Sequence, residues 1–369
     1  MPPVYHDRIR ESVARVRRGV EKVRERAAKH HRVLWWVHSA YALGLGAFVA
    51  TFAEKGLAHA RFVACSLVAA WFLIVVFFRA FGSGRDQLRI DGGPTGLRLR
   101  FFAMSYALKN LYQGMLFFLL PFYVKGATYD SVNVGFAALL VVAAILSTLD
   151  VVFDRFFLRH HAWASVFHAV ALFGSLDLVI PAVAPTIPSE SALVLAATLA
   201  LVAFFTLHLP FRDLRRPWVA IVAALGVVAG AGNAYVLRRA IPPVPLRVVH
   251  AAVGTAVLPD GSLAIEVRRL HVALLPELVA QTDVMATTGG VTALRHVYRR
   301  GARRIVRDVT ATRLDAPGAA KALARWRLSS SLGATGHDDD GETDEGAWNL
   351  DVETGSGQLV GRTRFRAVR

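Results

Sequence analysis

The stretch "SYALKNLYQGMLFFLLPFYV", residues 105–124, decides how the chain is read. At 1.5 Å per residue its length matches the roughly 30 Å hydrocarbon core of a bilayer. It also carries Lys109, a residue that lipid does not welcome. The stretch is therefore read as a membrane span, 101–124, with a charge that needs a partner. Working outward, six further apolar segments of similar length stand at 34–53, 62–81, 132–153, 162–184, 191–211 and 217–237. As helices they would satisfy every backbone polar group internally, as lipid demands. Composition agrees: 54% of the 369 residues are hydrophobic and 19% are charged, against about 25% charged in soluble domains. The expected fold class is a membrane α-helical bundle of about seven transmembrane helices, followed by a small all-β C-terminal domain.

The net charge of +16 is unevenly spread, with 27 Lys/Arg against 13 Asp/Glu before residue 251 and 16 against 14 after it. This basic excess flanks the apolar segments, where it sets orientation and meets anionic lipid. No basic reading helix or aromatic-basic sheet motif appears, so nucleic acid is excluded as a partner. Nineteen Lys/Arg fall in the leader and in alternate short loops, and only Lys55, Arg61 and Lys125 fall in the others. The positive-inside rule then predicts a cytoplasmic N-terminus in a bacterial inner (plasma) membrane, and an odd span count sends the C-terminal domain to the periplasm. The leader lacks a clear cleavage site and reads as a signal anchor. Within 1–33, Ile9, Val13, Val16, Val20, Val23 and Ala27 form one apolar stripe of a basic amphipathic helix. The single cysteine, Cys65, leaves no disulfide within the chain.

After the spans the code changes. A proline-rich segment, 238–249, reads as a stiff linker. In 250–369 the clearest pattern is "WNLDVETGSGQLVGRTRFRAV". Trp348, Leu350 and Val352 alternate with Asn349, Asp351 and Glu353. After the turn Gly355-Ser356-Gly357, Leu359, Thr363, Phe365 and Ala367 alternate with Arg362, Arg364 and Arg366. Period-two alternation about a glycine turn predicts a hairpin with one buried face. A second hairpin is predicted around Gly301. Several short strands in this length fit an antiparallel sandwich.

The intramembrane polar candidates are Lys109, Gln113, Asp150, Asp177 and Asn233. Antiparallel packing of neighbouring spans brings Lys109 to the depth of Asp150, and a contact between them is expected. Asp177 and Asn233 lie at comparable depth and are expected to meet. His168 and His208 sit on neighbouring spans, too sparse a set for a metal site. Gly226, Gly230 and Gly232 predict close helix packing. On the β domain the candidate binding face is Arg362, Arg364 and Arg366 with Arg299, Arg300, Arg303 and Arg304 near the other turn. The acidic run "HDDDGETDEG" fails the calcium-loop pattern, because residues 336 and 347 are Gly and Ala. No nucleophile motif and no phosphate loop occurs, so neither enzymatic activity nor a cofactor or metal is expected.

Short pieces carry a resemblance: "RHVY" at 295–298, "ARWRLSSS" at 324–331, "GAW" at 346–348, "GQLVGRTRF" at 357–365, and, in the membrane part, "LPFYVKGATYDSVN" at 120–133 with "STLD" at 147–150. In these the chain resembles a family of uncharacterised bacterial multi-span membrane proteins with a small C-terminal β domain, a domain of unknown function. The last 120 residues carry the likeness best. It implies architecture and inner-membrane location, not chemistry. The expected function is a non-enzymatic periplasmic β domain, held by the helices, that binds a protein or an anionic envelope polymer. The alternative is a transporter or channel working through the intramembrane charges.

Overall fold

The computed structural model describes residues 95–369 except 150–152, 154–159, 210, 260, 288–290, 292–293, 316–322 and 334–343, with a few single positions between 40 and 76. The amphipathic leader and nearly all of the segments 34–53 and 62–81 lie outside the described residues.

The stretch that opened the sequence analysis lies in α1, Thr95–Gly126, of 32 residues. Leu108, Tyr112, Leu116, Leu119 and Tyr123 are almost wholly buried. Their spacing of four, four, three and four puts them on one helical face, which forms the centre of the bundle core. Helix α2, Val134–Thr148, returns beside it. Next come α3, His161–Val183, and α4, Ser189–His208, packed against each other. The short α5, Phe211–Leu214, leads to α6, Pro217–Val236, which opens on proline, the residue best tolerated in a first turn. A buried alanine stripe on α4, including Ala192, Ala196, Ala200 and Ala203, keeps these helices close. A Cβ added to Gly226 or Gly230 of α6 would overlap Phe205 or Leu201 of α4. Gly226 and Gly230 thus act as the contact surface expected of them, whereas Gly232 does not, since a Cβ built there meets nothing within 4 Å.

Among the described residues, three helical units are long and apolar enough to cross a membrane: Ala162–Val183, Ser189–His208 and Pro217–Ala240, with mean hydropathy 1.9, 2.0 and 1.9. This corrects the expected count of about seven. Helix α1 is long enough but too polar through Lys109, Asn110 and Gln113 to qualify by composition. The 15 residues of α2 rise about 22 Å, short of a full hydrocarbon crossing. The protein is a membrane protein with a β-sheet-rich C-terminal region.

That region holds two sheets. Strands β1 (Arg247–Gly254), β3 (Val279–Ala286), β7 (Ala324–Ser331) and β6 (Thr310–Arg313) form one, in the order β1-β3-β7-β6. Strands β2 (Arg269–His271), β9 (Leu359–Val368), β8 (Gly346–Thr354), β4 (Leu294–Arg300) and β5 (Arg303–Asp308) form the other, in the order β2-β9-β8-β4-β5. Both contribute to shared cores, one around Trp348, Tyr298, Phe365 and Ala280, the other around Val284, Leu328, Val352 and Val360. The sandwich is antiparallel throughout except that β2 pairs in parallel with β9. A strand three residues long could not announce that pairing by periodicity.

The proline-rich segment is not an open spacer. Leu237–Ala240 forms a 3₁₀ turn, and Ile241, Val244 and Leu246 are buried. A Cβ on Gly126 at the end of α1 would meet Leu246 O, Val244 and Pro242. The expected stiff linker is therefore a packed joint. Polar contacts extend the joint sideways. Asn133 Nδ2 donates to Leu359 O at 3.2 Å, Arg238 Nε to Ser356 O at 2.8 Å, and Gln358 Nε2 to Arg238 O at 3.2 Å. Asn133 and Gln358 are buried, and the Asn133–Leu359 bond is made where water cannot replace it.

Candidate functional site

Two places gather side chains of possible function: the polar groups inside the bundle and the arginine-rich face of the five-stranded sheet.

Inside the bundle, Asp177 of α3 is 4% exposed. Its partner is Tyr123 of α1, whose hydroxyl lies 2.8 Å from Asp177 Oδ2 and 2.9 Å from Gly174 O. The expected meeting of Asp177 with Asn233 does not occur, because Asn233 lies exposed on α6. Equal depth brought the two to one level, but depth says nothing about which way each side chain faces round its helix. Gln113 Nε2 donates to Ser147 O at 2.9 Å and ties α1 to α2. Lys109 is buried, 7% exposed, and has an interaction of its own. The expected Lys109–Asp150 contact turns on Asp150, which lies outside the described residues. His168 is fully buried, with Nδ1 2.7 Å from the Tyr112 hydroxyl, and Tyr112 meets Phe167 edge-on. Among the described residues His168 Nε2 has no hydrogen-bond partner. His208 stacks on Phe204 instead of joining His168.

Sequence reasoning missed Tyr112 and Tyr123. The available signal was that both lie on the face of α1 that its other buried residues mark out. A hydroxyl there must find an acceptor on the neighbouring helix.

The arginine face is built by register. Asp351 of β8 pairs with Arg362 of β9 on one side and with Val297 of β4 on the other. Arg362 grips Asp351 with two bonds, Nε–Oδ1 at 2.6 Å and Nη2–Oδ2 at 2.9 Å. Arg299 Nε stands 3.0 Å from Asp351 Oδ2, and Arg299 also pairs with Glu353, which Arg304 reaches at 3.0 Å. From the turn after α1, Asp130 pairs with Arg362 and Arg364. Partial burial alone would raise the Asp130 pKa, but the two guanidiniums outweigh it and hold it below the usual carboxylate value. The hydrogen bonds to Asp351 raise the pKa of Arg362 further. Arg303 pairs with Asp344 at 2.6 Å, and Arg300 lies near the same carboxylate and over the ring of Trp348. Of the seven arginines expected to offer a basic surface, six are therefore engaged by carboxylates. The sequence already contained the reason: Asp351 and Glu353 occupy the same sheet face as the arginines, so neutralisation across strands was legible there.

Arg366 is the exception. It pairs in register with Arg269 of β2, and its backbone N donates to Arg268 O at 2.9 Å. All three arginine side chains are exposed. No acidic group among the described residues lies within ion-pairing distance of any of them.

A third polar cluster crosses the interior of the sandwich. His296 of β4 meets Thr282 Oγ1 at 2.8 Å through Nε2 and Ser330 Oγ at 2.7 Å through Nδ1. Burial lowers the His296 pKa to about 4. A serine beside a histidine resembles a nucleophile and its base. Here His296 is completely buried and Ser330 is 9% exposed. Thr282 lies on one sheet and His296 on the other, so the cluster bonds the two sheets together.

Comparison with known proteins yields no match among curated proteins or solved structures. A family does match: residues 13–272 fit the family of unknown function DUF5924. That range takes in the membrane segments quoted above, the joint and the first two β strands. The C-terminal pieces from 295 onward lie beyond it. The matched range covers well over half of the chain, and the protein belongs to the DUF5924 family.

Proposed function

We propose that this protein is a multi-pass inner-membrane protein whose helices hold a non-enzymatic β sandwich against the periplasmic membrane face, where the sandwich binds an anionic partner. The N-terminus lies in the cytoplasm on this reading, and the partner is a protein or an envelope polymer. The observation that carries it is the cluster of Arg268, Arg269 and Arg366. Like charges side by side across strands cost stability. The neighbouring arginines have carboxylates, and among the described residues these three have none. A surface that keeps such a repulsion is suited to an anion from outside the chain.

Photocrosslinking from position 366 in cells, followed by mass spectrometry, tests this reading. A recurrent adduct that disappears in the folded Arg269→Glu/Arg366→Glu variant supports it. Adducts that survive the charge reversal overturn it. A reporter fused after Arg369 that is active only in the cytoplasm would overturn the orientation.

The buried Tyr123–Asp177 pair favours a second reading, a transporter or channel. On that reading Asp177→Asn abolishes the cellular phenotype while Arg366→Glu leaves it intact.

A further inference from the structure

The bundle carries an apolar groove of about 630 Å³, within the range of sites that hold small molecules. Its walls come from α2, α3, α4 and α6, and among the described residues that line it Asn233 alone has a polar side chain. Along α4 it extends from Ala197 to Phe204. By helical rise these residues lie roughly 12 and 22 Å below the helix end nearest the β domain. The groove thus runs from the β-domain side to roughly three quarters of the way through a 30 Å hydrocarbon layer. Its flank is open, since Leu139 and Val166 are 46% and 45% exposed. At the upper end, Leu237, Ala240 and Ile241 line it. The same 3₁₀ turn carries Arg239, which is exposed and has no acidic partner among the described residues.

We propose that this groove is a lipid site. One acyl chain of a phospholipid from the leaflet on the β-domain side lies along α4, with its headgroup phosphate at the level of Arg239. Three observations argue for a lipid over a second copy of this chain. Three of the four walls, α3, α4 and α6, belong to helices long and apolar enough to cross a membrane. The groove opens at the β-domain side and ends short of the far side of the layer. An apolar slot meets a cation with no acidic partner among the described residues, at the level where a phosphate sits. The site is independent of the arginine cluster on β2 and β9.

Gly135 lines the groove, and a Cβ built on it meets nothing within 4 Å. Gly135→Phe therefore fills the groove without displacing the core. Gly232 is equally open but lies outside the groove, and Gly232→Phe is the matched control. The full chain is placed in nanodiscs containing phosphatidylglycerol with a diazirine in its acyl chain, irradiated, and mapped by mass spectrometry. The expected result is labelling of Phe136, Phe173 and Phe204 several-fold above other lipid-facing residues. Gly135→Phe should remove that excess and Gly232→Phe should keep it. Leu139→Trp, which narrows the same slot from its rim, should act as Gly135→Phe does if the latter does not fold. Uniform labelling round the bundle overturns the proposal. So does an excess that survives both groove variants, or a groove protected by a crosslinked second copy.

Discussion

The helical bundle and the β sandwich bury and expose opposite things. On the bundle, Ile221, Leu225 and Val228 are 59%, 63% and 70% exposed, while Asp177, His168 and Gln113 are inside. On the sandwich, Trp348 and Leu350 are completely buried and arginines cover the outer face of the five-stranded sheet. One chain has been fitted to two solvents. In lipid, outward apolar groups cost nothing, and stability rests on packing and a few bonded polar pairs. In water, the hydrophobic effect assembles the core and charges remain outside. Substitutions should therefore be felt very differently in the two halves.

The largest effect is expected from Trp348→Ala. Trp348 stacks on Phe365 at 6.1 Å at the centre of the larger sandwich core. Its loss should cost about 3–5 kcal/mol and make the β domain protease-sensitive while the bundle fragment survives. If both halves fall together, the packed joint couples them into one folding unit, and the comparison of two separate stabilities fails. Next in size is Asp351→Ala, which leaves Arg299 and Arg362 facing each other without their shared carboxylate. A loss of about 3 kcal/mol is expected, at the low end for a broken buried pair because both arginines reach solvent. Denaturant unfolding followed by tryptophan fluorescence reads it.

Acid should weaken the sandwich. The folded-state pKa of His296 is lowered to about 4 from 6.5, so the unfolded chain takes up its proton first. Stability is full above pH 6.5 and drains away as the pH falls to about 4, by at most roughly 3 kcal/mol. His296→Gln should flatten that slope, and an unchanged slope would assign the acid sensitivity elsewhere. The smallest effect is expected inside the membrane. Tyr123→Phe removes the hydroxyl shared by Asp177 and Gly174, and polar contacts between membrane helices average only about 0.6 kcal/mol. Thermal unfolding in nanodiscs should shift slightly. A large shift would mean that this pair carries more of the bundle than its setting predicts.

The sequence was most readable where one residue's neighbour in space is also near it in the chain. The hairpin of β8 and β9 formed as its alternation and glycine turn required, with Trp348 opposite Phe365 and Gly357 at φ +85°. The Gly301 hairpin did likewise, with Arg300 opposite Arg303. The three helical units long and apolar enough to cross the membrane began and ended within a few residues of the apolar runs. What failed was azimuth and partner. Hydropathy gave the depth of Asp177 but not the side of the helix that Tyr123 occupies. Alternation gave the arginine row but not the carboxylates set against it, although cross-strand register put Asp351 within reach. The single Asn233 in an apolar wall shows how a polar residue misleads when depth alone chooses its partner.

The joint between the two halves has a consequence for how the protein is made. Asn133 waits for a carbonyl 226 positions further along the chain, and Arg238 waits for Ser356. Strand β9, which supplies or adjoins both contacts, also sits between β2 and β8. Synthesis therefore delivers the keystone late. Until residues 356–368 reach the same side of the membrane as Asn133, the helix ends, two strands and the buried joint all stand open together. A chain stalled or clipped in that interval would show several adhesive surfaces at once, and cellular surveillance of the membrane would meet it as unfinished.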